Sequence, residues 1–542
     1  MIEVSLGSFG TGAFASLKDE ALAAPSSSEM ARLDAVTISG GTPSLELMER
    51  AGVSIADYIC RLLETRGGKT LANVLVLCGP GNNGGDGLVV SRVLAERGYQ
   101  VSAVIAQASR YSDDCLEQVQ RFRSVASLLA SQGTSLPPFV SQINQSSFDQ
   151  TLGSATVVVD ALLGTGQRDA PRGEIGKLVS LLMEAKGRRP ELLIVSADIP
   201  TGVDADCGAV FVPHISADYT VSIELVKRGM MQFPARSACG VVTGVPIGID
   251  ERSDVAFSLA LGANLEKLSP RAPDAHKGMF GRVLIVGGSA VMPGASALAA
   301  LGALRAGVPL VTRATRSTWL SPEIPPECMH TLIPGDGACY TEEDCSIVLA
   351  EAQKVSTVVI GPGLGRDERT GAFVKGVLEG LSSQSVRVVC DADALFHIAR
   401  LNVSLTGLDA VITPHPGEAA TMLGTTTDRV QADRFSAVQA LQQRYGCVAL
   451  LKGAGTLVYD GGRGFIVPRG TPYLATGGSG DVLSGIIAAC MGRVSSTRSA
   501  AVVGAYIHAV AGERAAERTG GPIIATDIAW AAASVIGEFE RA

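Results

Sequence analysis

Short, continuously apolar runs rich in valine and isoleucine alternate with helical stretches along the chain, and they do so in two separate series. The first series lies at 74–78, 101–105, 157–160, 192–197, 219–221 and 241–245. The second lies at 283–286, 308–312, 357–360, 386–390, 410–412 and 448–451. Strands that are apolar without a break are buried on both faces, which is the mark of a mainly parallel sheet with helices on each side. Between the series the order lapses into charged and proline-containing sequence (Asp250-Glu251-Arg252, Pro270-Arg271-Ala272-Pro273-Asp274), as domain boundaries do. The pattern predicts an Ala/Ser/Gly-rich loose leader over 1–26, an α/β domain over 27–250, a linker over 251–269 and a second α/β domain over 270–542.

Composition narrows the function. With 45 basic and 53 acidic residues the chain carries a net charge of −8, and only 5% of it is aromatic, so neither a basic nucleic-acid face nor a base-stacking platform is expected. The eleven cysteines include no CxxC pair and complete no zinc pattern; reduced thiols in a cytoplasmic protein are the expectation. No basic region precedes an apolar one at the start, so no signal peptide is read. The longest uncharged run, 283–304, is interrupted by Gly287-Gly288, Pro293 and Gly294, which excludes a membrane span. Glycine is abundant, 63 of 542 residues against an average of about 7%, and without a collagen-like period it must serve turns and close backbone approaches.

Many of those glycines sit just after strands. The run at 74–78 continues into Gly79-Pro80-Gly81-Asn82-Asn83-Gly84-Gly85-Asp86-Gly87, with a helix expected from about Leu88. In an open α/β sheet this is where ligands bind, and glycine N–H groups at a helix start can approach a phosphate. Asp160 closes another strand before Ala161-Leu162-Leu163-Gly164-Thr165-Gly166-Gln167-Arg168. Asp198 closes a third, before Ile199-Pro200-Thr201-Gly202-Val203-Asp204. Either aspartate alone would serve equally as a helix cap. Both on one sheet edge near Asn83 favour a site, and oxygen ligands with one buried carboxylate suit potassium better than magnesium.

These three motifs, with Leu47-Met48-Glu49-Arg50-Ala51-Gly52 upstream, resemble the NAD(P)H-hydrate epimerase domain over residues 27–250. The resemblance implies a Rossmann-like three-layer fold and a potassium ion near Asn83, Asp160 and Thr201, where many relatives carry serine at the last position. It implies contacts to the hydrate from Asn82, Asn83, Gly84, Gly85 and Asp86, from Gly164, Thr165, Gly166, Gln167, Arg168, Asp169 and Ala170, and from Asp198. The reaction inverts the hydrated carbon of the nicotinamide ring, by ring opening or proton exchange. Asp198 is the candidate acid/base group, since a strand-end carboxylate can be desolvated.

In the second half, glycine loops follow strands at Gly287-Gly288-Ser289 and Gly361-Pro362-Gly363-Leu364-Gly365; Asp391-Ala392-Asp393 and Thr413-Pro414-His415-Pro416-Gly417-Glu418 follow two more. The strongest signal is Ala475-Thr476-Gly477-Gly478-Ser479-Gly480-Asp481-Val482-Leu483-Ser484-Gly485, which opens a helix. Its N–H groups can stabilise transferring phosphate, and its aspartate can take a hydroxyl proton. It resembles the ribokinase-like Gly-x-Gly-Asp element and lacks the Lys-Ser/Thr ending of a Walker loop. Residues 270–540 resemble the ADP/ATP-dependent NAD(P)H-hydrate dehydratase. That resemblance implies a ribokinase-like fold, hydrate contacts from Ala295, Gly363 or Gly365, His415 and Asp481, and nucleotide contacts from Lys452, Gly453, Ala454, Gly455, Thr456 and Gly480. Magnesium with ADP or ATP is the implied co-substrate. Two departures touch substrate contacts: Arg469-Gly470-Thr471-Pro472 replaces an Asn-x-Gly, and Met292 stands where many relatives have tyrosine; Ser479 in place of a common threonine is conservative.

The joint expectation is a cytoplasmic homo-oligomer that repairs NADHX and NADPHX, with no nucleic-acid or membrane partner. The second reading is a ribokinase-like kinase of a vitamin precursor with a non-catalytic scaffold in front.

Overall fold

Each series of apolar runs becomes one sheet in the computed structural model, which describes residues 2–4, 22–66, 72–131, 145–249, 254–317, 326–335 and 339–541. The chain divides into two units, Met1–Phe257 and Ser258–Ala542.

The first unit runs β1 (Ile2–Val4), α1 (Ser27–Ser39), α2 (Ser44–Glu64), β2 (Asn73–Cys78), α3 (Asn82–Glu96), β3 (Gln100–Ile105), α4 (Asp113–Ser131), α5 (Gln145–Ser154), β4 (Val157–Ala161), α6 (Gly173–Arg188), β5 (Leu193–Ala197), β6 (Tyr219–Ile223), α7 (Ala235–Cys239) and β7 (Val241–Val245). Its sheet has the order β1-β7-β6-β5-β4-β2-β3 and is parallel except for β1. Val74, Val76 and Cys78 of β2 enter one core and Leu75 and Leu77 enter another, so both faces are covered, as a Rossmann-like three-layer unit requires. The chain passes from β2 to β3 on one side and then crosses to β4 on the other. At that reversal the connections diverge and leave a crevice at the carboxyl ends of β2 and β4.

Two expectations need correction here. Helix α3 starts at Asn82, not near Leu88, so Gly84, Gly85 and Gly87 are helical. A Cβ on Gly84 would lie 1.9 Å from the Gly79 carbonyl oxygen, and one on Gly85 would lie 2.6 Å from the Met48 sulfur. These glycines let the helix lie against its neighbours; only its first residues are left to meet a ligand. The leader is also more ordered than its composition suggests. Its Ile2–Val4 pairs with β7, Leu22, Ala23 and Ala24 are buried, and Ser26 with Glu29 forms a capping box on α1. Residues 5–21 of that leader lie outside the described residues.

The second unit runs β8 (Phe257–Leu259), β9 (Val283–Val286), α8 (Pro293–Arg305), β10 (Val311–Thr315), β11 (Met329–Leu332), α9 (Cys345–Ala352), β12 (Thr357–Ile360), α10 (Glu368–Leu381), β13 (Arg387–Cys390), α11 (Asp393–Leu401), β14 (Asp409–Ile412), α12 (Pro416–Leu423), α13 (Thr427–Ala432), α14 (Arg434–Tyr445), β15 (Val448–Leu451), β16 (Thr456–Tyr459), β17 (Gly464–Val467), α15 (Ser479–Met491), α16 (Thr497–Thr519) and α17 (Ala525–Arg541). The sheet order is β11-β10-β9-β12-β13-β14-β15-β16-β17-β8, with the reversal between β9 and β12. Strand β8 falls inside the stretch expected to be linker, and β10 begins three residues later than the apolar run suggests. Among the described residues no helix is long and apolar enough to cross a membrane.

Helices α8, α15, α16 and α17 share one alanine-rich core with the sheet. The closest approach is at Gly485, where a Cβ would lie 2.0 Å from the Ala299 carbonyl oxygen and 2.8 Å from the Ala303 nitrogen. Backbone cannot swing aside as a side chain can, so Gly485→Ala is expected to force α8 and α15 apart. The expected cost is about 1–3 kcal/mol, seen as a thermal midpoint several degrees lower.

Candidate active sites

The crevice of the first unit holds a cavity of about 380 Å³ between α1, α2, the start of α3 and the loops after β4, β5 and β6. Of the expected hydrate contacts, Asn82, Asn83, Asp86, Gly164, Thr165, Gly166 and Asp198 line it. The structure does not bring Gln167, Arg168, Asp169 or Ala170 to its walls. Gln167 accepts a hydrogen bond from the Gly202 N–H (2.6 Å) and donates one to the Gly164 carbonyl (3.1 Å), so it shapes the loop from behind. Arg168 bonds to Asp206 (2.8 Å) and Ser27, and the exposed Asp169 is only loosely paired with Arg172.

Asp198 follows directly on β5 with φ of 66°, a left-handed conformation that costs a non-glycine residue energy. Its Oδ1 accepts bonds from the Ile223 N–H (3.0 Å) and from the ammonium of Lys227. Lys227 is 1% exposed and donates further to Ser222 Oγ (3.2 Å) and the Ile223 carbonyl (2.9 Å). A buried carboxylate persists as a charge only with such a partner. Sequence reasoning missed Lys227. The available signal was a lysine just past an apolar strand, at the edge that carries both aspartates. It also missed Asp34 on α1, another wall of the cavity. Burial pushes the Asp34 carboxyl up to about 6, with Lys227 working against the shift and Asp198 and Glu224 adding to it. Asp86 is driven well above the carboxylate range by burial and then by the charges of Asp198 and Asp34.

Asn83, Asp160 and Thr201 are brought together. The Thr201 hydroxyl donates to Asp160 Oδ1 (2.7 Å), and the Thr201 N–H and Ser196 hydroxyl donate to Oδ2 (2.8 and 2.9 Å). Leu163 joins the group to Asn83. Its N–H donates to Thr201 Oγ1 (3.1 Å), and its carbonyl accepts from Asn83 Nδ2 (3.0 Å). Asn83 Oδ1 is buried and has no hydrogen-bond partner among the described residues. An orphaned carbonyl oxygen beside a buried carboxylate and a hydroxyl fits a monovalent, oxygen-seeking cation. Among the described residues no three His, Cys, Asp or Glu side chains cluster as a metal site.

In the second unit the glycine loops after β9 and β12 meet at the reversal of strand order. A Cβ on Gly363 would lie 3.1 Å from the Ala295 Cβ and 2.5 Å from the Met292 carbonyl oxygen, which makes Ala295 and Gly363 neighbours. Gly365 donates its N–H to Asp393 (2.9 Å). Helix α15 starts at Ser479 behind Gly478, whose φ of 85° makes the turn. Gly480 and Asp481 are therefore within the first helical turn, not ahead of it. Facing that turn, Asp391 accepts from Lys452 Nζ (2.8 Å) on one oxygen and from the Ser484 hydroxyl (2.5 Å) on the other. Lys452 reaches so close that a Cβ on Gly480 would lie 3.2 Å from its nitrogen.

This arrangement separates two carboxyls by charge state. Burial raises Asp391, but the Lys452 ammonium and the bonds from Lys452 and Ser484 outweigh it and hold the group below the usual range. Burial and then the Asp391 charge push Asp481 up to about 8. Below the turn, His508 of α16 lies with Nε2 3.0 Å from the Ser479 carbonyl; burial pushes its pKa down to about 4, so the neutral ring donates Nε2–H there and steadies the turn. Asp391 and, at the end of the glycine motif, Ser484 stand in the sequence patterns without a role; His508 carries no motif of its own.

His415 caps α12. Its Nδ1 accepts from the Gly417 and Glu418 N–H groups (3.0 and 3.3 Å), and Glu418 accepts from the His415 N–H (2.8 Å). Its exposed ring lines a cavity of about 180 Å³ with Arg366, Phe396 and Thr421. In the expected nucleotide loop, the Thr456 hydroxyl donates to the Gly453 carbonyl (2.9 Å), Gly455 is buried and Ala454 is exposed. Arg434 clamps the loop through the Leu451 and Lys452 carbonyls (3.2 Å each). Arg469, the departure before the glycine turn, is held by the buried Glu513 through three bonds (3.1, 3.0 and 2.5 Å), and Gly470 donates to the same carboxylate (2.6 Å). That ion pair anchors the loop.

Comparison with known proteins agrees across both units. Residues 44–229 match the family model of the YjeF-related protein N-terminus, and residues 283–532 match that of NAD(P)H-hydrate dehydratase. A bifunctional NAD(P)H-hydrate repair enzyme Nnr of Moorella thermoacetica is 36% identical over 505 residues, covering 91% of this chain and 92% of that protein. The Nnr of Escherichia coli is 36% identical over 497 residues, covering 90% and 88%. Among solved structures, an ADP/ATP-dependent NAD(P)H-hydrate dehydratase of Bacillus subtilis, co-crystallised with ATP and Mg²⁺, is 28% identical. It covers 51% of this chain and 95% of its own, with a TM-score of 0.43.

Proposed function

The chain belongs to the bifunctional NAD(P)H-hydrate repair enzymes, and from that premise we propose that its two units carry out successive steps on one damaged metabolite. The first interconverts the R and S hydrates of NADH and NADPH. The second dehydrates the S form at the expense of ADP or ATP. The observation that carries this reading is Asp481 in the first turn of α15, facing the buried Asp391–Lys452 pair.

In the second unit Asp481 takes the proton of the ring hydroxyl as its oxygen attacks the terminal phosphorus. The N–H groups of Gly477 to Gly480 face the charge that develops on the phosphoryl oxygens, and Lys452 adds a fixed positive charge beside them. Magnesium, arriving with the nucleotide, supplies further neutralisation of phosphate charge. The phosphorylated oxygen then leaves with the C–O electron pair, and loss of a neighbouring ring proton restores the dihydronicotinamide. His415, Ala295 and Gly363 or Gly365 orient the ring, and Lys452 to Thr456 with Gly480 hold the nucleotide.

In the first unit Asp198, paired with the Lys227 ammonium, handles the hydroxyl proton. Potassium held by Asn83, Asp160 and Thr201 would supply a fixed positive charge beside the start of α3. Asn82, Asp86 and Gly164 to Gly166 contact the hydrate; Gly84, Gly85 and Gln167 to Ala170 contribute by shaping the loops. A vitamin-precursor kinase with an inert first half would leave the Asp198–Lys227 cavity without a use. Among the described residues the cysteines form no disulfide, which supports a reducing, cytoplasmic setting. Exposed Met329 and Leu332 on the edge strand β11 support assembly into a homo-oligomer.

The test follows R- and S-NADHX separately by chromatography with the purified chain, potassium, magnesium and either nucleotide. R-to-S conversion without nucleotide and loss of S with it are expected. Consumption of S while R persists would remove the epimerase half of the proposal. A stable phosphorylated vitamin precursor, with neither hydrate changing, would replace it with the kinase reading.

A further inference from the structure

We propose that Asp34 of α1 is the second proton-handling group of the first unit, giving a proton to the ring nitrogen as the hydrated ring opens and taking it back as the ring recloses. This rests on the epimerase reading. Asp34 lies upstream of the residues matched by the family model, and no motif points to it.

The chemistry asks for two groups. Inverting a carbon that bears a hydroxyl next to a ring nitrogen by ring opening needs a base for the O–H proton. The O–H electron pair becomes the new C=O bond, the C–N pair moves to nitrogen, and nitrogen must take a proton from an acid. The aldehyde then turns about its single bond and nitrogen adds to its other face. Both protons return to where they began, and no co-reactant is consumed.

Asp198 serves as the base, which leaves the acid to be found among the charged groups around the cavity. Lys227 is already committed to three oxygens: Asp198 Oδ1, Ser222 Oγ and the Ile223 carbonyl. Glu224 accepts three backbone N–H groups, from Ile247, Gly248 and Ile249. Asp114 sits in the first turn of α4, where it meets the positive end of the helix dipole. Asp34 and Asp86 remain. Both line the cavity, and neither carboxyl has a hydrogen-bond partner among the described residues. Asp86 is buried inside α3 at 7% exposure, where burial raises its carboxyl and favours the neutral form, whereas Asp34 is only half-buried and open to exchange protons across the cavity. Asp34 is raised only to about 6, where a carboxyl can both give and regain one near neutrality. The charge of Asp198 helps keep that proton in place, so neighbouring carboxyls in different surroundings take opposite roles.

The experiment uses the full chain and measures R–S interconversion without nucleotide from pH 5 to 9, after subtracting the protein-free rate. In the wild type, interconversion is expected to fall about tenfold per pH unit above about 6, as Asp34 loses its proton. Asp34→Asn should remove that limb and lower the rate at pH 6 about 10²–10³-fold, and Asp34→Glu should restore the limb in part. Dehydration of the S form should not move and the thermal midpoint should not fall, since removing a raised carboxyl costs no stability; this separates the role from a structural one. A wild-type profile in Asp34→Asn overturns the assignment, as does loss of the limb in Asp86→Asn alone. A wild-type chain that does not interconvert the hydrates at any pH overturns the epimerase reading and this assignment with it.

Discussion

Asp481→Asn is expected to lower dehydration of the S hydrate about 10²–10⁴-fold, the range for losing a positioned base, while R–S interconversion by the first unit continues. Asparagine keeps the shape and the place in the first turn of α15 but cannot take the hydroxyl proton. The wild-type pH profile gives the same group a second signature. Burial and the Asp391 charge hold Asp481 up to about 8, so its basic form becomes scarcer by about tenfold for each unit below that. Dehydration kcat/KM should therefore rise with pH and level off above about 8. Stability runs the other way. Between the ordinary carboxylate range and about 8 the folded chain holds a proton on Asp481 that the unfolded chain has released. Stability from this group is thus lost as pH rises through that window. Asp481→Asn removes the loss, so at pH 8–9 the variant should be at least as resistant to heat as the parent. An inactive variant that is also less stable at that pH would point to a damaged fold; an active one would take the base role away from Asp481.

Legibility differed between the strands and the chemistry they carry. Unbroken runs such as 74–78 and 357–360 announced buried parallel strands, because only a sheet covered on both faces tolerates that pattern. Aspartates at strand ends were visible for the same reason: a polar residue closing an apolar run is costly unless it is used or paired. Edges of a weaker kind escaped. Ile2–Val4 and Phe257–Leu259 are three-residue strands whose sequence carries almost no period. The glycine run after β2 looked like a loop, since helix propensity argues against Gly84-Gly85, yet close packing on Gly79 and Met48 demands glycine inside the helix. Lys227, Asp34, Ser484 and His508 belong to the sites through contacts with residues far along the chain, and no local spacing encodes such a contact. His415 shows the converse. Its motif was conspicuous, and in the structure its Nδ1 caps a helix.

Lys227→Met should be the most damaging single change to the first unit. It takes the counter-ion from Asp198 in a cavity that already holds Asp34 and Asp86, and it leaves Ser222 and the Ile223 carbonyl short of a donor. A buried carboxylate stripped of its partner costs about 3–5 kcal/mol, and it takes up a proton to escape part of that cost. Once protonated, Asp198 is no longer a base, so interconversion should fall at least about 10²-fold. Loss of fold alone could produce the same loss of rate, and the double variant Lys227→Met/Asp198→Asn separates the two. With the carboxylate charge gone there is no unpaired ion to bury, so the double variant should regain much of the thermal midpoint lost by Lys227→Met, yet remain inactive toward R-NADHX. The second unit supplies an internal control, since dehydration of S-NADHX should persist in both variants. If the double variant recovered interconversion along with stability, the Asp198–Lys227 pair would be a structural tie, and the proton chemistry would have to be sought in Asp34 and Asp86 alone.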